Sequence, residues 1–318
     1  FNEKGKFIRS DMDAVIVGRH IAAKLPENTV IDAHRSMQWG WHHQWATNRP
    51  VRITKTPATE DAERHPVFFA RASGLSPDEQ KSLAGRYRVE VYDDIWVVYA
   101  NEPHAPLEAF TLEEREPSWW EWYWLGGAEP IRTIVADPFA TWEWRTIVGQ
   151  PTSVPDVEPR TLEQKRIAHN IAVSQGDKAR AAALRAEIEA ALSKEAKTLY
   201  THGLTLLGTR HLDGVEPKLE VWFYAEWPIQ GDPKFKVGAV VEKRKAFSFI
   251  PRDPVVREVS PPHTIAPKQW MPGGIYRHSM VLRQRIGQER FFGWFEGSGT
   301  RAPKRRDGKE HTELLVLE

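Results

Sequence analysis

Cysteine is missing altogether from the 318 residues, which excludes disulfides, zinc–thiolate sites and thiol catalysis. Its absence fits the cytosol and an oxidising compartment equally, so it does not place the protein. Long apolar runs are missing too. No stretch approaches the roughly 18–20 residues that a spanning helix needs, and no basic-then-apolar signal region opens the chain. An excess of one charge is also lacking: 44 Lys and Arg stand against 43 Asp and Glu, a net charge of +1. Nucleic acid is therefore not an expected partner. The single basic run, Arg301-Ala-Pro-Lys-Arg-Arg306, precedes Asp307-Gly308 and reads as a solvated turn.

Several motifs are absent as well. There is no GxGxxG and no GxxxxGK[ST], the loops that bring backbone N–H groups onto a phosphate. The first strand instead leads into His34-Arg-Ser-Met-Gln-Trp-Gly40. No Gly-x-Ser-x-Gly elbow is present, which disfavours serine hydrolase chemistry. No cofactor and no metal is expected.

What is abundant is tryptophan, with 14 in the chain. Trp39, Trp41 and Trp45 form one group, Trp119, Trp120, Trp122 and Trp124 a second, and Trp142 and Trp144 follow. Hydrophobic residues at 41% and charged residues at 27% describe an ordinary globular protein. The length suits two domains of about 100–200 residues each.

Residues 1–110 alternate helix and strand. A helix from the Ser10-Asp-Met-Asp13 cap to Leu25 precedes a strand, Thr29–Ala33. A second helix, Met37–Asn48, leads to the strand Val51–Thr54. Ser76 caps a helix with Pro77 in its first turn. Arg86–Tyr92 and Ile95–Tyr99 form a hairpin about Asp93-Asp94. This order predicts a small three-layer α/β unit. Residues 111–160 read as a Trp- and Pro-rich connecting segment, with Gln150–Pro159 a linker by composition. Residues 161–200 predict a helical hairpin: Thr161-Leu-Glu-Gln164 is a capping box, and Gly176-Asp177 breaks and recaps the helix. Residues 201–318 carry short β-branched and aromatic runs bounded by Gly, Pro or Asp, the pattern of a C-terminal antiparallel β-sandwich. The runs are Leu204–Thr209, Leu219–Trp227, Phe235–Glu242, Trp270–Tyr276 and Arg290–Phe295. The fold expected is thus α+β and multidomain.

The best local cluster for chemistry is Asp32, His34, His42 and His43. Asp32 and His34 share one face of a strand. His42 and His43, as helix neighbours, point about 100° apart and cannot both face one metal. Packed or capping histidines are the better reading, as they are for His169 and Asn170 within the capped helix. Glu113, Glu114 and Glu116 read as a solvated charge run. The candidate ligand-binding residues are Trp119, Trp120, Trp122, Trp124, Asp253 and Trp270, because indole rings can stack on the C–H faces of a sugar. Against this, Trp270 fits a structural corner in which the indole fills the core. No residue is assigned a catalytic role.

The order of parts resembles a known family. Ala14-Val-Ile-Val-Gly-Arg-His-Ile-Ala-Ala-Lys-Leu-Pro-Glu-Asn-Thr-Val-Ile-Asp32 resembles the soluble segment that follows the last membrane helix in bacterial membrane glycosyltransferases of the GT-C class. These are similar to protein mannosyltransferases and aminoarabinose transferases. The strand Leu219–Trp227, Asp253-Pro254, Trp270–Gly273 and Phe292-Gly-Trp294 resemble the C-terminal sandwich that some of them carry. In that class the catalytic acids lie in loops between membrane helices, which this chain lacks. The resemblance therefore implies a non-catalytic, periplasmic portion of a membrane-tethered protein. Its partners would be the membrane-embedded part of the same protein and a glycan or glycan acceptor. Phe1, without an initiator Met, fits a processed piece of something larger. Two other expectations stand beside this one: a free-standing carbohydrate-active enzyme with an appended sandwich, and a purely structural or assembly domain.

Overall fold

The structure is a computed structural model. It describes residues 12–37, 48–54, 66–115, 131–193, 203–212, 218–229, 234–241, 255–259, 265, 267–281, 289–296 and 315–317. The chain divides into two compact units, Phe1–Glu158 and Pro159–Glu318, with the boundary inside the Pro-rich stretch.

The first unit is built on a mixed seven-stranded sheet. Its strands are β1 (Ile31–His34), β2 (Val51–Thr54), β3 (Val67–Arg71), β4 (Tyr87–Tyr92), β5 (Ile95–Pro103), β6 (Glu108–Arg115) and β7 (Ile131–Ala136), in the order β2-β1-β3-β5-β4-β6-β7. β1 runs parallel to both β2 and β3, and β4 runs parallel to β6; the other pairs are antiparallel. Every residue of β1, and Val67–Ala70 of β3, is buried. Strands covered on both faces carry such unbroken runs, without period-two alternation.

Helices cover both faces. On one, Ala14, Val17 and Ile21 of α1 (Met12–Ala22) cluster with Ile31, Ala33, Val67, Phe69, Ile95 and Val97. On the other, Leu83 and Ala84 of α2 (Pro77–Arg86) and Trp144 and Val148 of α3 (Pro138–Val148) cluster with Phe68, Ala70, Val89, Val91, Trp96 and Val98. The helix ends are satisfied locally. Ser76 and Glu79 complete a capping box at α2, with Pro77 in its first turn. Asp137 accepts from the N–H groups of Phe139 and Ala140 at α3. Arg49 donates to the carbonyls of Ala22 and Leu25, closing the end of α1.

The segment 111–160, expected to connect, instead supplies most of β6, all of β7 and α3 to this sheet and its cover. Neither β6 nor β7 contains a tryptophan; Trp142 and Trp144 are buried on α3.

The second unit opens with the predicted hairpin, α4 (Leu162–Gln175) and α5 (Lys178–Ala191). Thr161 and Gln164 form the capping box, Gly176 takes the left-handed turn at φ 75°, and Asp177 caps α5. The part of that reading beyond Ser193 lies outside the described residues. β8 (Leu204–Leu212), β9 (Lys218–Ala225) and β12 (Ile275–Val281) make a three-stranded antiparallel sheet in the order β12-β9-β8. β10 (Lys234–Val241), β11 (Val255–Val259), β13 (Glu289–Glu296) and β14 (Leu315–Leu317) make a four-stranded antiparallel sheet in the order β11-β10-β13-β14.

The three-stranded sheet has two apolar faces, set by alternation along β9. Val221 and Phe223 join Leu204, Leu206, Trp270 and Tyr276 on one. Trp222 lies with Leu207, Ile275 and the hairpin residues Ile188 and Leu192 on the other. A bulge between Leu206 and Gly208 lets Leu206 and Leu207 serve opposite faces. Among the described residues, no helix is long and apolar enough to cross a membrane.

Candidate functional site at the carboxyl ends of the parallel strands

In open α/β sheets, ligands collect outside the carboxyl ends of parallel strands. Here those ends belong to β1, β2 and β3, and the Asp32–His34 pair singled out by sequence lies there. Asp32 is fully buried. Arg52, its direct neighbour across the parallel pairing, grips it at two points: Nε donates to Oδ1 at 2.9 Å and Nη2 to Oδ2 at 3.0 Å. The Arg52 side chain is 44% exposed. A buried carboxylate thus fixes a half-exposed guanidinium by a fork-to-fork pair.

His34 turns its ring edge-on to Phe68, centroids 6.3 Å apart. The Ser36 N–H donates to His34 Nδ1 at 3.2 Å, and Ser36 Oγ lies 2.8 Å from the same nitrogen. An N–H can only donate, so Nδ1 is an acceptor and the neutral ring carries its proton on Nε2. Ser36 Oγ in turn accepts from the N–H of Arg71 at 3.1 Å. A serine 2.8 Å from a histidine has the spacing of an activated nucleophile. Two features argue for a turn lock instead. The Oγ lone pair is already held by Arg71, and Nδ1 receives a second donor. Gly74 closes the lock from outside: a Cβ there would sit 2.2 Å from Ser36 Cβ. Beside it, Arg71 Nη1 pairs with Asp94 Oδ2 at 2.6 Å.

A second polar knot lies under α1. Glu90 accepts from the hydroxyls of Tyr92 at 2.6 Å and Tyr99 at 2.8 Å and from Arg88 at 2.5 Å. Burial pushes its carboxyl up, but the two hydroxyls, with Lys24 and Arg88, hold it below the usual range. Burial and the same carboxylate raise both tyrosines, so they remain donors. The Arg88 guanidinium caps the knot 4.9 Å over the Tyr99 ring. A recess of about 250 Å³ beside it is lined by Arg88, Ala105, Pro106, Glu108 and Arg145. Both of its arginines are engaged, Arg145 with the Leu107 carbonyl and Arg88 with Glu90 and Glu102.

In the second unit the polar groups tie the hairpin to the sheet. Arg166, 3% exposed, donates to the Ile275 carbonyl and holds Glu163. Asn170 gives that carbonyl a second donor and accepts from the Ile275 N–H. Arg277 bridges Glu163 and Glu220. Burial alone would raise the Glu163 carboxyl, but Arg166 and Arg277 override it and hold it at about 2.

His169 faces two carbonyl oxygens, Ala181 at 2.9 Å from Nδ1 and Gly273 at 3.0 Å from Nε2. A neutral ring donates to only one of them. Burial, the largest influence, lowers its pKa; the carbonyls pull the other way, while Arg185 and Arg166 add to the lowering. The fold therefore favours the neutral ring. Stability that depends on it is complete above the ordinary value of 6.5 and is lost as pH falls below it, because the unfolded chain takes up the proton first. His169→Gln is expected to flatten that limb. Urea unfolding at about pH 7.5 and about pH 5.5 checks this; an equal wild-type-to-mutant difference at both would refute it.

Of the sequence-predicted ligand residues, Trp119, Trp120, Trp122, Trp124 and Asp253 lie outside the described residues, as do His42 and His43. Trp270 is described, and its placement corrects its reading as a sugar platform. It is 5% exposed, stacks on Tyr276 at 4.4 Å and donates from Nε1 to the Ile265 carbonyl. Gly273 at φ 79° makes the corner that turns it inward. No group of three or more potential metal ligands occurs among the described residues.

Sequence reasoning passed over Arg52, Ser36, Gly74 and Arg166. For Arg52 the signal was present: opposite charges stand at the second place in each of two four-residue strands. Compared with protein-family models, with curated proteins and with solved structures, the chain matches none.

Proposed function

We propose that this chain is a non-catalytic, extracytoplasmic binding domain of a membrane glycosyltransferase-like protein, which holds a glycan or positions a glycan acceptor. One observation carries the non-catalytic part. At the strand ends where an α/β sheet would place chemistry, Asp32 is spent on Arg52, and His34 and Ser36 are spent on each other and on Arg71. Groups committed in this way hold the strand ends together; they are not poised to move protons. The glycan part rests on the resemblance of Ala14–Asp32, Leu219–Trp227 and Trp270–Gly273 to the soluble regions of such transferases. In the same reading, the membrane-embedded portion of the protein is the tether and partner, the location is periplasmic, and the two sheets of the second unit stack as a sandwich.

The test is a glycan array and isothermal titration on this chain, paired with a hydrolysis assay on the same glycans. Binding without turnover is the expected result. Turnover would transfer the reading to a carbohydrate-active enzyme. Silence against every glycan would leave a structural role.

A further inference from the structure

Trp96, Trp142, Trp144, Trp222 and Trp270 are buried. Trp227 differs. It is 45% exposed, just beyond the end of β9. An exposed indole at a strand end is ordinarily free to choose among rotamers. This one is backed. Gly203 precedes β8 at φ 82°, and a Cβ built there would lie 2.4 Å from Nε1, 2.5 Å from Cε2 and 2.7 Å from Cδ1 of Trp227. The pyrrole ring thus lies against the glycine's Cα, in space that any other residue would fill. Glycine is required here twice, for the left-handed backbone and for the contact.

The backing is itself fixed. The Glu226 N–H donates to the Gly203 carbonyl at 2.8 Å, which locks the start of β8 to the residue before the indole. The Thr205 hydroxyl donates to Glu226 Oε1 at 2.7 Å and so orients the exposed Glu226 carboxylate at the same strand end. Little side-chain entropy therefore remains to be lost when a ligand lands.

We propose that Trp227, backed by Gly203 and flanked by the Glu226 carboxylate, is a saccharide-binding subsite for a neutral pyranose ring. The inference rests on the glycan-binding reading above and gives it an address. The chemistry is complementary. A pyranose presents an apolar face of C–H bonds, which stacks on the electron-rich face of an indole, and an equatorial rim of hydroxyls, which donate to a carboxylate. A bare apolar partner would leave Glu226 unused. An acidic sugar would meet it with like charge.

The probes are neutral tetrasaccharides of glucose, galactose, mannose and N-acetylglucosamine, with a sialylated tetrasaccharide as the acidic control. Binding is measured by titration calorimetry and saturation-transfer NMR on the full chain. The expected result is that at least one neutral probe binds, that Trp227→Ala weakens it by about tenfold or more, and that Trp227→Phe recovers part of the loss. Glu226→Gln, which keeps the Thr205 hydrogen bond, should weaken the same probe less. Unfolding midpoints show whether each variant folds, and the Phe variant covers the case in which the Ala variant does not. Neutral probes that bind wild type and both Trp227 variants equally would overturn this subsite while leaving the glycan-binding reading intact. Failure of every probe to bind wild type would overturn both.

Discussion

Arg52→Met is expected to destabilise the first unit by about 3–5 kcal/mol, while Asp32→Asn costs only about 1–2 kcal/mol. The asymmetry follows from where the two ends of the pair sit. Asp32 is fully buried, whereas the Arg52 side chain is 44% exposed. Removing the arginine takes the two-point partner from a carboxylate buried in the sheet. Removing the carboxylate's charge leaves a guanidinium that turns to solvent. Urea unfolding followed through amide exchange in β1 and β3 measures both variants within the unit concerned. Equal costs for the two would mean that the pair does not behave as a buried anion held by a surface cation. A double variant that costs clearly less than Arg52→Met alone identifies the buried carboxylate's charge as the source of the loss; an equal or greater cost would rule that out.

Arg166→Met is expected to cost the second unit a similar amount, about 3–5 kcal/mol, although methionine fills much of the same space. The arginine does two things that methionine cannot. It supplies one of the donors to the Ile275 carbonyl, and it is one of the two cations that hold Glu163 ionised. Its partner's titration gives a second readout. Glu163 lies at about 2 in the fold against an ordinary 4.5, so its contribution is present above 4.5 and is lost as pH falls toward 2. Arg166→Met should shrink this acid limb, because only Arg277 then faces the carboxylate. A variant that kept the full acid dependence would show that Arg277 alone sets it. Arg166→Lys keeps the charge but not the planar fork, and is expected to fall between.

Much of the local structure was legible because it is written in adjacent residues. The Ser76–Glu79 and Thr161–Gln164 boxes cap the predicted helices, Val51–Thr54 is the predicted strand, and β4 and β5 turn at Asp93-Asp94. Beyond that hairpin, strand direction was not legible. The helix–strand order of the first hundred residues suggests a layered α/β unit, yet β3 pairs antiparallel with β5 in its middle. Val67–Ala70 shows why: a run buried on both faces has no period to read. The site residues divide in the same way. Asp32 and His34 could be paired from their spacing, but Arg52, which holds Asp32, and Arg71, which holds the His34 partner Ser36, come from other strands. Trp227 had no sequence mark separating it from the buried tryptophans. What distinguishes it is Gly203, a contact across a strand pair.

The ties between hairpin and sheet also bear on how fast the second unit forms. α4 and α5 touch each other across a two-residue turn and can meet within microseconds. The partners of Arg166, His169 and Asn170 on the sheet side lie 109, 104 and 105 residues further along the chain. The hairpin is therefore ready long before the main chain at Gly273–Ile275 arrives, and three of its polar side chains must wait in water for that closure. Contacts this distant in sequence slow the search for the folded state. A chain still being synthesised would carry an assembled hairpin with nothing yet to hold.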